Sequence, residues 1–286
     1  MRICKLLLAF FSLLLFSSCS PKQLFPTDNH HYFSASDFNY TFKEHTFYSQ
    51  DGTTLQGIHF KSAGASKGMI VLANGIYDNM SMRFTKWLWL VDAGYDLFSF
   101  DYRAFGESES EPDMYGFRDD VNAAIEFAHT LKPTLDITLI GQSMGGTFVI
   151  DALVYKNYEY VNLVVADSAF CSFASTLNSF MLKTVVLAPF CWLPYTFSPD
   201  DLDSIENVAK LKTPLLLVTG DSDWIVSYEN SFELYEKANG MKSLWVVEDA
   251  GHVEGFAFKS VQNDFLDSLG EKKFSRDGGI TRLNQN

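Results

Sequence analysis

Leu139-Ile140-Gly141-Gln142-Ser143-Met144-Gly145-Gly146 lies where the periodicity of the chain changes. Leu135 to Ile140 is a short apolar run, as expected of a strand buried on both faces, and Ser143 to Tyr155 has helical spacing. The string G-x-S-x-G carries little weight alone and much more between a strand and a helix. Such a turn needs Gly141 and Gly145, because a side chain at either would collide with adjacent backbone. It lifts the Ser143 hydroxyl above the sheet edge, beside the N-terminus of the next helix, whose dipole favours developing negative charge. Ser143 is therefore a candidate nucleophile, set against the plainer reading of a small-residue turn.

Outward from this turn the alternation recurs. Lys67 to Ala73, Tyr95 to Phe100, Tyr160 to Ala166, Pro214 to Thr219 and Ser243 to Val247 read as strands. Phe84, Trp87, Leu88 and Val91 fall at helical spacing, as does Tyr115 to Leu131. Ahead of them, Glu44 to Phe60 reads as a hairpin around Asp51-Gly52. The pattern predicts an α/β fold, a mostly parallel sheet with helices on both faces. Sites on such sheets sit at the carboxyl ends of the strands. One segment breaks the rhythm: residues 170–208, rich in Phe, Leu and Pro, read as an apolar cap inserted over the strand ends. Pro189 and Pro194 argue against a membrane span there. Residues 270–286 read as a frayed polar tail.

A serine hydroxyl is a weak nucleophile and needs a base within hydrogen-bond reach. Of six histidines, His30 and His31 precede the domain, His45 and His59 lie in the hairpin, and His129 lies on a helix. Only His252, in Asp249-Ala250-Gly251-His252, directly follows a strand at the expected edge. Its tautomer needs a carboxylate to hold it. Asp223 in Gly220-Asp221-Ser222-Asp223 is the choice; Asp221 would shape the turn, and Asp167, after another strand, is the outside candidate.

These residues together resemble the α/β-hydrolase superfamily, over nearly everything from Glu44 to Leu269. The chain order Ser, Asp, His is that family's. Its G-x-x-D-x-x-V pattern corresponds to Gly220 to Val226 and points to Asp223 as the acid. Asp101 to Ser108 is similar to its D-x-R-G-x-G-x-S turn, with Ala104 where Gly is usual. Asp167-Ser168-Ala169-Phe170 followed by an apolar cap resembles the branch of monoglyceride-lipase-like and serine-aminopeptidase-like hydrolases. The resemblance implies an oxyanion hole from the backbone N–H groups of Met144 and Ile76. One departure touches that loop: Asn74-Gly75 stands where His-Gly is usual, which puts the loop's conformation in question.

The N-terminus reads as an address. Arg2 and Lys5 precede the apolar stretch Leu6 to Phe16, too short for a membrane span and fitting an export signal over residues 1–18. Phe16-Ser17-Ser18-Cys19 resembles a bacterial lipobox, with Phe16 in place of the usual Leu, and implies lipidation of Cys19. Ser20 after it favours the outer membrane of a bacterial envelope by the same analogy. An ordinary secretory signal is the alternative. Residues 19–40 read as a tether, leaving 41–269 as the hydrolase domain. Loss of Arg2 and Lys5 takes the net charge from −13 to −15. That balance argues against nucleic acid as a partner and against electrostatic docking to anionic lipid. Cys171 and Cys191 fall in one apolar segment where the compartment permits a disulfide, and free buried thiols are the alternative.

The expectation is a serine hydrolase of the carboxylesterase or lipase type, acting on a small-molecule acyl substrate without cofactor or metal. Phe170, Phe173, Phe180, Phe190, Trp192 and Phe197 would wall an acyl pocket or form the cap's own core. A peptidase on short peptides is the runner-up, with Asp200, Asp201 or Asp203 holding the substrate amine. A catalytically silent envelope binding protein is the third reading, resting on Asn74 and Ala104.

Overall fold

The computed structural model describes residues 25–182, 192, 194–197, 199–271 and 278–285. The expected signal 1–18, Cys19, Phe190 and Cys191 lie outside the described residues, as do the side chains of Phe180 and Phe197. Nine strands form one sheet among the described residues: β1 (Thr41–Tyr48), β2 (Thr54–Lys61), β3 (Met69–Ala73), β4 (Asp96–Phe100), β5 (Ile137–Gln142), β6 (Val161–Asp167), β7 (Leu215–Gly220), β8 (Lys242–Val247) and β9 (Ile280–Leu283). Their order is β1-β2-β4-β3-β5-β6-β7-β8-β9. β2 pairs antiparallel with both β1 and β4, and every pairing from β4 to β9 is parallel.

Period-two alternation sends neighbouring residues of the central strands into two separate cores. Val71, Leu139, Val164 and Leu217 face one layer, which also contains Phe117 and Val121 of α3 (Met114–Leu131), Phe148 of α4 (Met144–Tyr155) and Leu234 of α8 (Glu229–Lys237). Ile70, Leu72, Ile140, Val165 and Leu216 face the other, with residues of the short helices α1 (Met80–Arg83) and α2 (Leu88–Asp92) or near them, and with Val261 and Phe265 of α9 (Lys259–Glu271). This is the α/β architecture with helices on both faces. The cap contains α5 (Phe173–Leu182), α6 (Pro194–Phe197) and α7 (Ser204–Asn207). No helix among the described residues is long and apolar enough to cross a membrane.

Two expectations give way. The described part of the tether, residues 25–40, is packed onto the domain: Phe25 and Ala35 are buried, and Ser34 caps a short 3-10 turn, Ala35–Asp37. The polar tail is not simply frayed, since Ile280–Leu283 adds a parallel edge strand to β8. Its residues are mostly exposed, so it lacks the apolar run by which the inner strands are recognised.

The turn after β4 explains the departure at Ala104. That residue has φ +67°, in the left-handed region that glycine adopts without cost. Its N–H donates to Glu109 O at 3.0 Å, which fixes the conformation. Ala104→Gly should therefore raise stability by about 0.5–1 kcal/mol, the strain relieved exceeding the entropy added to the unfolded chain. Chemical unfolding measures this, and a destabilised variant would refute the strain.

Candidate active site

Ser143 follows β5 and opens α4 with φ +54° and ψ −118°, a strained conformation for a residue with a side chain. Close backbone crossings make it possible. A Cβ on Gly145 would lie 2.2 Å from Ala73 O, and one on Gly141 2.3 Å from Gly145 O. The loop after β3 is thereby pressed against the serine turn, and a Cβ on Gly75 would stand 3.4 Å from Ser143 Cβ.

Ser143 Oγ lies 2.9 Å from His252 Nε2, and His252 Nδ1 lies 2.8 Å from Asp223 Oδ2. A carboxylate only accepts, so Nδ1 carries the hydrogen and Nε2 is left to accept from the serine hydroxyl. The Asp223 side chain is fully buried. Its other oxygen accepts the N–H groups of Ile225 and Val226, both at 2.9 Å, which locks the carboxylate in place. Gly220 permits the approach of the two loops, because a Cβ there would lie 2.1 Å from Ala250 O. Asp221 shapes the turn, accepting from Asp249 N at 2.8 Å.

Asp167, the other candidate acid, instead accepts from Gln142 Nε2 at 3.0 Å. Burial pushes its pKa up to about 6, against the opposing effect of that hydrogen bond. Its folded pKa stands above the ordinary carboxylate value, so the native state binds a proton that the unfolded chain has released. Stability should fall as pH rises through about 4 to 6. Thermal melts across that range should show the fall, and Asp167→Asn should flatten it; an unchanged slope would remove Asp167 as its source.

Ile76, Met144, Ser143 and His252 line one cavity of about 870 Å³. Phe170 and Phe173 line it too, their rings edge to face at 4.7 Å. Trp192 does not: it is exposed and absent from the wall. Asp200, Asp201 and Asp203 are also absent from it. Asp201 accepts from Tyr115 OH at 2.9 Å and Asp203 from Phe173 N at 3.3 Å. The carboxylate that does line the cavity, Asp113, is engaged as the N-cap of α3. Asn74 keeps its loop in place, donating from Nδ2 to Phe100 O at 3.1 Å while Ile76 remains on the wall. Cys171 is buried with Sγ 3.4 Å from Asn230 O, and burial pushes its thiol up to about 12.

Several contributors carry no sequence signal. Phe25 and Pro26, in an aperiodic polar stretch, form part of the wall. Ser168 Oγ accepts from Val253 N at 3.1 Å and so holds the residue beside His252, which has φ +52°. A β-branched residue in that region is an outlier that only its surroundings maintain. Arg83 lines the cavity with its guanidinium paired to Asp78.

The model of the family described as serine aminopeptidase, S33, matches residues 64–197. The uncharacterized protein YfhR of Escherichia coli K12 is 31% identical over 218 residues, covering 74% of this chain and 73% of that one. The chain belongs to the α/β-hydrolase superfamily, in its S33-like branch. The fold of this α/β hydrolase is shared with the Pyrococcus furiosus esterase Pf2001, at a TM-score of 0.66 and 20% identity over 86% of this chain and 96% of that one. It is shared also with the esterase domain of a Rhodothermus marinus protein, at a TM-score of 0.60 and 19% identity over 82% and 98%. The segment matched to the family model ends before Asp223 and His252, so those two residues of this α/β hydrolase rest on the geometry above.

Proposed function

We propose that the protein hydrolyses carboxylic esters by acyl transfer through Ser143. The observation that carries this reading is the hydrogen-bonded chain Ser143–His252–Asp223, at 2.9 and 2.8 Å, with Ser143 and His252 on the wall of an apolar cavity. Ser143 Oγ attacks the ester carbonyl as His252 Nε2 takes its proton, and Asp223 stabilises the imidazolium. The backbone N–H groups of Met144 and Ile76 receive the oxyanion. Collapse of the tetrahedral intermediate breaks the ester C–O bond, and His252 returns the proton to the departing alcohol. Water, deprotonated by His252, then attacks the acyl-serine and releases the acid with Ser143 restored.

Phe170, Phe173, Met114 and Leu177 on the wall favour an ester with an apolar acyl chain over a peptide. The chain is proposed to be held on a bacterial envelope membrane, favouring the outer one, by acylation of Cys19. The reading is tested with p-nitrophenyl esters from acetate to long chains, alongside labelling by a fluorophosphonate. Turnover with an adduct at Ser143 supports it. A folded protein that neither turns over any ester nor takes the label overturns it.

A further inference from the structure

Phe25 is six residues from Cys19 and already belongs to the cavity wall. Its ring packs edge to face against Phe117 at 5.1 Å and Phe173 at 6.4 Å, with Pro26 beside it on the wall. The residues that follow fasten it down. Gly106 N donates to Asp28 O at 2.9 Å, Asn79 Nδ2 to His30 O at 2.7 Å, and Tyr32 N to Ser81 Oγ at 3.0 Å. Six residues span about 20 Å when fully extended, so a lipid on Cys19 would hold this wall within that distance of the bilayer surface.

From this placement we infer that the substrate is an acyl ester resident in the anchoring membrane, taken up from the bilayer surface, with Phe25 and Pro26 as part of its acyl site. The inference rests on the esterase reading and on acylation of Cys19. A second observation supports it independently. Tyr77, Tyr115 and Ile225 line the cavity and are also large exposed residues. Exposed Trp224 adjoins Ile225, and exposed Tyr195 adjoins the lining Pro194. The rim of the cavity thus carries exposed Tyr77 and Tyr115, with Trp224 and Tyr195 next to wall residues in sequence, amphipathic aromatics of the kind that settle at headgroup level. With a mature charge of −15, attraction to anionic lipid cannot supply the approach. The anchor and the rim supply it instead. A water-soluble ester gains nothing from so short a tether, whereas a lipid ester in the same leaflet is met at an intramolecular effective concentration.

The test uses the full chain, with acylation of Cys19 verified by mass, in vesicles of phosphatidylethanolamine and phosphatidylglycerol carrying 1-oleoylglycerol. It is compared with a released form, Cys19→Ser exported behind an ordinary cleavable signal. A third form keeps the anchor but carries about thirty Gly and Ser residues inserted after Lys22, a flexible extension of the reach. All three are expected to turn over soluble p-nitrophenyl butyrate alike. On the vesicle ester, the native chain is expected to exceed the released form by about 100-fold, with the extended form between. Phe25→Ala should raise KM for the oleoyl ester several-fold more than KM for p-nitrophenyl butyrate, whose short chain covers less of the wall. Equal vesicle activity of the native and released forms overturns the inference, as does equal activity of the native and extended forms, or a native chain without acylation. In those cases, turnover of the soluble ester leaves the esterase reading standing. Failure of all three forms on soluble esters of every chain length, with no fluorophosphonate label taken, sinks that reading, and the inference with it.

Discussion

Ser143→Ala should lower kcat by about 10⁶, and Asp223→Asn by about 10⁴, with KM for the same ester little changed in either. On the proposed mechanism the first removes the nucleophile and leaves only binding and the oxyanion donors. The second follows from how Asp223 is held. Its Oδ1 accepts two backbone N–H groups, from Ile225 and Val226, and its Oδ2 faces His252 Nδ1. An asparagine there would keep its carbonyl oxygen on the two N–H donors, which turns its NH2 toward the imidazole. His252 would then have to accept at Nδ1 and carry its hydrogen on Nε2, the atom that must take the proton from Ser143. The loss is one of tautomer, with the cavity wall intact. Steady-state kinetics on the best p-nitrophenyl ester measures both variants. Asp223→Asn within about ten-fold of the native kcat would show that another carboxylate supports the histidine, since an orienting acid is worth far more. Asp167, the other buried carboxylate of this region, would be the first to examine.

The parts of the fold legible in sequence are those whose side chains repeat with a period. β3, β5, β6 and β7 are apolar on both faces, so their existence followed from composition alone. Ser143, Asp223 and His252, which hydrogen bonds join in the structure, were legible for another reason: they stand in the loops after β5, β7 and β8, where such an architecture puts its sites. What escaped had no period. β9 is a short, exposed edge strand that buries almost nothing of its own. Phe25 is one aromatic in a polar stretch, and only its contacts with Phe117 and Phe173, more than ninety residues away in sequence, distinguish it from a tether residue. The role of Ser168 depends on a main-chain hydrogen bond to Val253, eighty-five residues along the chain, a relation no local pattern encodes. Trp192 failed in the opposite sense: its composition suited a pocket wall, but position along an irregular cap fixes no direction for the ring.

Asp120→Ala should cost about 3–5 kcal/mol, the largest stability loss expected from one substitution here, because it would strand a buried charge. Arg103 and Asp120 are both buried, and each of the three guanidinium nitrogens donates at least one hydrogen bond. Its Nε and Nη2 donate to Asp120 at 3.0 and 2.8 Å, its Nη1 to Asp51 at 2.8 Å, and its Nη2 also to Ser49 Oγ at 3.2 Å. Asp120 accepts the Arg103 N–H as well, at 2.9 Å. Burial works against ionising Asp51, but the Thr53 N–H and the Arg103 guanidinium hold its pKa down at about 2. Half-exposed Asp51 is left as the one carboxylate on the arginine once Asp120 is gone. The network joins three places: the β1–β2 turn, the turn after β4, and α3, whose first residues Met114 and Tyr115 line the cavity. At about 2–4 °C per kcal/mol for a domain of this size, the melting temperature should drop by about 10 °C. Replacing both partners by apolar residues, as in Arg103→Met with Asp120→Leu, removes the stranded charge and should recover much of the loss. A single variant within about 1 kcal/mol of the native protein would mean that water or Asp51 satisfies Arg103 alone. A double variant no better than the single would mean that the hydrogen bonds to the turn, rather than charge burial, set the cost.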